Sequence, residues 1–319
     1  MKLAITLIAA GMMSPAALAD DYLLVVNKGE DTLAIVDAET LEVETLVGTG
    51  RNPHEVYASP DGQTGYVSDY SASQGNTISV VDLSSGHRTA VWDLGENLGP
   101  HGIWVSADGD HVWATTERSG TVVEVSTSTG TVTRVWETGQ QVSHQLVPTP
   151  DGSKLYVANI GSGSVTIIDR TDDSVVSIPT GAGAEGIDAS PDGREVWVGN
   201  RSSDTVSIIN TATDQIVATL PSGGNFPIRV KFTPDGSEVY VSNANSGDVA
   251  IFNAQTRELL ATIEVGAVPV GIVMDPDGSR AFIANTLDDY VTVIDTQTRA
   301  VTGRIETGDE PDGMAWAVR

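Results

Sequence analysis

Residues 184–223 read as four short strands, 186–190, 195–199, 205–210 and 215–220. In the third, Val206 and Ile208 alternate with Thr205 and Ser207, the period of two that sends successive side chains to opposite faces of a sheet. Pro191, Asp192 and Gly193 make a tight turn between the first two strands, and polar residues at 200–204 and 211–214 separate the others. A lone four-stranded meander cannot bury both of its faces. It needs neighbours like itself.

The chain supplies them. The Pro-Asp-Gly turn recurs at Gly62, Gly152, Gly236 and Gly278, with Ala-Asp-Gly ending at Gly109, so that successive turns lie 41–47 residues apart. The second strand recurs seven times, beginning at residues 23, 66, 112, 156, 196, 240 and 282. A period near 40–45 residues with four strands per unit is the spacing of propeller blades. The pattern therefore predicts an all-β, seven-bladed β-propeller of four-stranded antiparallel blades. Tyr22 enters at a second strand, whereas Pro311, Asp312 and Gly313 match a first strand and then the chain stops. The C-terminal strand is thus expected to complete the N-terminal blade, removing two open sheet edges.

Residues 1–19 carry Lys2, an apolar run at 3–13 and the small residues Ala17 and Ala19 before Asp20, the pattern of a cleavable signal peptide. Residues 20–319 form the single propeller domain, expected to be soluble and exported to a periplasm or the medium. The chain has no cysteine, and 17 Lys plus Arg stand against 43 Asp plus Glu, a formal net charge of −26. That acidity argues against nucleic acid and anionic membrane as partners. No phosphate-binding glycine loop, dinucleotide fingerprint or nucleophile elbow is present.

The blade order places the loops after second and fourth strands on the face where innermost strands begin. Aligning those beginnings puts His54, His101 and His144 in one slot of three consecutive blades, with Glu185 and Asp312 in the same slot elsewhere. Three imidazoles and a carboxylate at a channel mouth could hold a divalent metal ion such as Zn²⁺, Cu²⁺ or Fe²⁺. Metal-free, His101 or His144 could act as a general base oriented by Glu185 or by another histidine. Duplication of a turn-capping histidine explains the same alignment. Lys28, Arg51, Arg118, Arg201 and Arg229 map to this face and could bind a carboxylate or phosphate, or pair with the abundant acids. His87 and His111 fall elsewhere and read as structural. Trp104, Trp113, Trp136, Trp197 and Trp316 read as packing between blades.

The units Tyr-Val-Ala-Asn at 156–159 and Tyr-Val-Ser-Asn at 240–243 resemble the YVTN-type β-propeller repeat over essentially all of residues 21–319. Pro53 and His54, followed by the turn ending at Gly62, also look like the seven-bladed lactonase family that includes 6-phosphogluconolactonases. The first resemblance implies an exported binding or scaffold module for a protein partner or small anionic ligand. The second implies a hydrolase acting on an anionic lactone or ester through the His/Glu cluster.

Overall fold

The computed structural model describes residues 21–71 and 74–318, so the signal peptide expected at 1–19 lies outside the described residues. Twenty-eight strands, β1 to β28, form seven four-stranded antiparallel sheets arranged as blades. The first blade has the order β28-β1-β2-β3, joining Pro311–Ala317 (β28) to Tyr22–Asn27 (β1), Thr32–Asp37 (β2) and Val43–Gly48 (β3). The last strand therefore closes the first blade, with Leu23 opposite Trp316 and Val25 opposite Met314. The other six blades each run from innermost to outermost strand in chain order. Their innermost strands are β4 (Pro53–Ala58), β8 (Pro100–Val105), β12 (Ser143–Pro148), β16 (Ala184–Ala189), β20 (Pro227–Phe232) and β24 (Pro269–Met274). The innermost strand of the 184–223 unit starts two residues before the alternation predicts, because Ala184 pairs with Asn200 ahead of a bulge.

The repeated turn residues have physical jobs. At Gly62 the backbone takes φ 66°, a left-handed conformation that glycine adopts without penalty. The Asp61 carboxylate accepts from the Ser59 hydroxyl at 2.5 Å and the Gln63 amide at 3.1 Å, locking the turn. Thr233 and Asp235 repeat the first contact at 2.7 Å. The asparagine ending several second strands reaches across the turn to the third strand: Asn159 donates to Thr166 at 2.9 Å, Asn200 to Ser207 at 3.0 Å, and Asn285 to Thr292 at 2.9 Å. Asp69 replaces it in one blade and accepts from Thr77 instead.

The core lies between blades. Trp197 packs edge-on to Phe232 of the next blade at 5.9 Å between ring centroids, and Tyr240, Val249 and Ile251 interleave with Ile272, Met274 and Ile283. Among the tryptophans Trp113 and Trp197 are fully buried. Trp104, by contrast, also lines the axial cavities. Burial of apolar surface on both faces of every blade stabilises the ring at about 25 cal/mol per Å².

Candidate functional site at the channel mouth

Every innermost strand carries a bulge near its start. In β4 the pairing jumps from Pro53–Asp69 to Val56–Val67, and the other six strands jump in the same place. A bulge re-aims side chains. Here it lets two successive residues serve the axis: the aligned slot at the mouth and, one residue on, a layer beneath it.

The mouth is a cavity of about 280 Å³. Its walls include His54, His101, His144, Glu185 and Asp312 from the aligned slot. The rings of His54 and His101 lie 4.8 Å apart by centroid, and those of His101 and His144 only 3.6 Å apart and tilted 33°. His101 thus stands between the other two. His144 Nδ1 is 3.0 Å from Glu117 and its Nε2 is 3.4 Å from Glu185. Tyr70 donates its hydroxyl to Glu117, and Arg201 pairs with Glu185 at 2.7 Å. Tyr70, Glu117, His144, Glu185 and Arg201 therefore form one continuous polar chain across four blades.

Sequence alignment of the slot missed Tyr70 and Glu117. Both directly follow the last residue of a second strand, as do Lys28 and Arg201. Aligning that position, which reads Lys28, Tyr70, Glu117, Ile160, Arg201, Ala244 and Thr286, exposes the second ring of the mouth.

Of the five predicted cations, three line the cavity: Lys28, Arg201 and Arg229. Each has a carboxylate partner. Lys28 meets Asp312 at 3.2 Å, and Arg229 meets Glu55 at 2.5 Å. Arg118 stacks over Tyr70 at 4.6 Å and donates to the Ser71 carbonyl at 3.0 Å, while Arg51 is exposed outside the cavity. His87 is exposed on an outer strand, and His111 lies at the opposite face.

Burial works against charge on His144, but the hydrogen bonds its ring donates to Glu117 and Glu185 outweigh it and raise its pKa to about 9. His101 goes the other way. Burial, with His144 and His54 beside it, drives it well below the usual imidazole value. Burial likewise lowers His54, against the pull of Asp312. Burial opposes ionisation of Glu117 too, yet the His144 contact holds its carboxyl low. Tyr70 is pushed up to about 12, by burial first and then by Glu117. At neutral pH the site is a neutral imidazole stacked on an imidazolium. His144, whose folded pKa lies above the unfolded value near 6.5, adds stability that is full below about pH 6.5 and lost as pH rises through about 9. His101, with its folded pKa depressed, adds stability that is present above about pH 6.5 and lost on acidification. Melting temperature against pH should peak near about pH 6.5, the unfolded value that separates the two limbs. His144→Gln should flatten the alkaline limb and His101→Gln the acid limb; unchanged limbs would refute the assignment.

The donors do not suit a metal ion. Both nitrogens of His144 are engaged, its ring stacks on that of His101, and among the described residues no group of three His, Asp or Glu side chains is placed to hold one.

Under the mouth, Glu55, Gln145 and Arg229 meet across the axis, with Gln145 donating to Glu55 at 2.5 Å. The other four positions of this layer are Gly102, Gly186, Gly271 and Gly313. A Cβ on Gly102 would stand 2.7 Å from the His144 carbonyl oxygen, so the strands close in where glycine allows and the three long side chains plug what remains. Below the plug lies a chamber of about 240 Å³, then a floor of Tyr57, Trp104, Asp188 and Lys231, then a wide cavity of about 780 Å³ at the opposite face.

A closed seven-bladed ring with a histidine–carboxylate cluster at one mouth defines a β-propeller with its candidate site on the axis. The chain belongs to the seven-bladed β-propeller lactonase family, whose model matches residues 49–269. A curated relative, the seven-bladed β-propeller protein Rv1057 of Mycobacterium tuberculosis, is 31% identical over 130 residues, 40% of this chain. The match spans 32%, about a third, of that relative's length. Among solved structures, the chain is similar to a Kuenenia stuttgartiensis hydrazine synthase chain, with TM-score 0.78 and 21% identity over 91% of this chain and 99% of that one. A putative 6-phosphogluconolactonase of Bacteroides fragilis superposes with TM-score 0.77 and 16% identity over 95% and 99%. A functionally unknown protein of Desulfotomaculum acetoxidans gives 0.80 and 14% over 92% and 98%. At these identities the structural likenesses speak for the fold alone.

Proposed function

We propose that the channel mouth is a metal-free hydrolytic site that opens a lactone or similar cyclic ester. The observation that carries this reading is neutral His101 stacked on protonated His144 inside a small cavity, in a chain of the lactonase family. No hydrogen bond of the His101 side chain is seen among the described residues, and its buried Nδ1 is unpartnered, which leaves Nε2 as the nitrogen open to the cavity. That nitrogen takes a proton from water as the water oxygen bonds to the ester carbonyl carbon. The positive charges of His144 and Arg201 favour the resulting oxyanion. Collapse breaks the ring C–O bond, and the His101 imidazolium returns its proton to the departing alkoxide, giving a hydroxy acid.

The charge pairing refines the substrate. With Lys28, Arg201 and Arg229 each matched by a carboxylate, an uncharged lactone fits better than an anionic one. Phe226, Ile228, Val268 and Val270 supply an apolar wall for its substituent. The same pairing favours a second reading, a binding or scaffold module that holds a ligand or protein partner without turnover. The leader-like pattern of residues 1–19 supports either role being carried out outside the cytoplasm, in a periplasm or the medium. The Tyr-Val-x-Asn units are consistent with a YVTN-type repeat.

A panel of charged and uncharged lactones separates the readings. Turnover is expected, undiminished by a chelator, with kcat/KM reduced about 10²- to 10⁴-fold in His101→Ala. No turnover in the parent, or equal turnover in the variant, would leave the binding module.

A further inference from the structure

A cavity wider than the histidine mouth lies at the opposite end of the axis, where the Pro-Asp-Gly turns gather, and the hydrolytic reading makes no use of it. Its volume of about 780 Å³ is within the range of small-molecule sites. The floor is an aromatic pair, Tyr57 and Trp104, with ring centroids 4.4 Å apart. Beside it Lys231 reaches Asp188 at 3.3 Å and lies 5.7 Å from the Trp104 ring. Asp188 is buried and also accepts from the Phe232 amide at 2.9 Å. The Tyr57 hydroxyl has no hydrogen-bond partner among the described residues and is not sealed from the cavity.

Around the rim stand six exposed turn aspartates, Asp61, Asp108, Asp151, Asp192, Asp235 and Asp277, whose hydrogen bonds keep their carboxyls ionised. This ring repels anions. The cation place against Trp104 and Asp188 is already filled by the ammonium of Lys231. What the cavity offers is an apolar aromatic platform flanked by a free phenol, spare ammonium donors and a carboxylate acceptor. That combination matches a neutral ring with one C–H face and a rim of hydroxyls. We propose that this cavity is a second binding site, for a neutral saccharide whose ring stacks on Tyr57 and Trp104 and whose hydroxyls bond to Lys231, Asp188 and the Tyr57 phenol.

Calorimetric titration of the full chain with maltose, cellobiose, chitobiose and glucose tests this, with choline as the cationic comparison. At least one saccharide should saturate at one site per chain. Trp104→Ala should weaken binding about tenfold or more, and His101→Ala should leave it unchanged, which keeps this site separate from the hydrolytic one. Because Trp104 also packs against the blades, Tyr57→Phe and Lys231→Gln serve as milder variants, each expected to weaken binding severalfold with circular dichroism unaltered. Saturation by choline alone, absence of saturation by every saccharide, or saccharide binding untouched by all three variants would overturn the proposal.

Discussion

A chain ending at residue 310 is expected to lose its cooperative fold. The deleted residues include β28, which is the innermost strand of the first blade and lies against β1 along Leu23–Trp316, Leu24–Ala315 and Val25–Met314. Without it β1 becomes an exposed edge, and Leu23, Leu24 and Val25, all fully buried in the intact ring, face water. The mouth also loses Asp312, leaving Lys28 without its carboxylate. Exposing several buried side chains at about 1.5–3 kcal/mol each approaches the whole stability of a typical domain, about 5–15 kcal/mol. Thermal melting should show no sharp transition, or one lowered by tens of degrees. Deleting only the final two residues is the control: Val318 is exposed and lies past the strand. If the nine-residue deletion melted within a few degrees of the intact chain, strand closure would not be what holds the ring.

The second large effect is expected at the plug. Arg229→Met should cost about 3–5 kcal/mol, because it leaves the Glu55 carboxylate buried with only Gln145 as a neutral partner. The favourable term lost is the Arg229–Glu55 contact. Burial disfavours the charge on Arg229, and the nearby charges of Glu55 and Asp312 more than offset that. Adding Glu55→Gln to Arg229→Met should recover most of the stability, since an apolar or neutral replacement of both partners leaves no orphaned charge. A chemical-denaturation cycle over the four proteins reads the coupling. Additive single effects would show that the pair does not act as a unit.

The blades and their count were legible because every unit repeats the same local instructions. Period-two alternation, the Ser/Thr-Pro-Asp-Gly turn and the terminal asparagine each act within a few residues of themselves. Closure by Pro311–Ala317 was legible too, as a missing strand at one end and a spare at the other. The histidine slot could be found by aligning blade starts, since duplication keeps equivalent residues at equivalent positions. Tyr70 and Glu117 escaped because their position carries a different residue in every blade. The plug escaped for a related reason. Gln145 and Glu55 are 90 residues apart, and Arg229 and Glu55 are 174 apart, so only the closed ring shows that they meet. The bulges that turn two successive residues toward the axis likewise leave no mark in the hydrophobic pattern.

The two layers across the axis, Glu55–Gln145–Arg229 and Tyr57–Trp104–Asp188–Lys231, also stand between the two mouths. A solute arriving at one mouth meets both sets of side chains before it reaches the other. If the two mouths influence each other, the message must travel as a shift of side chains, and the shortest relay is the step from Glu55 to Tyr57 or from Arg229 to Lys231 along a single strand.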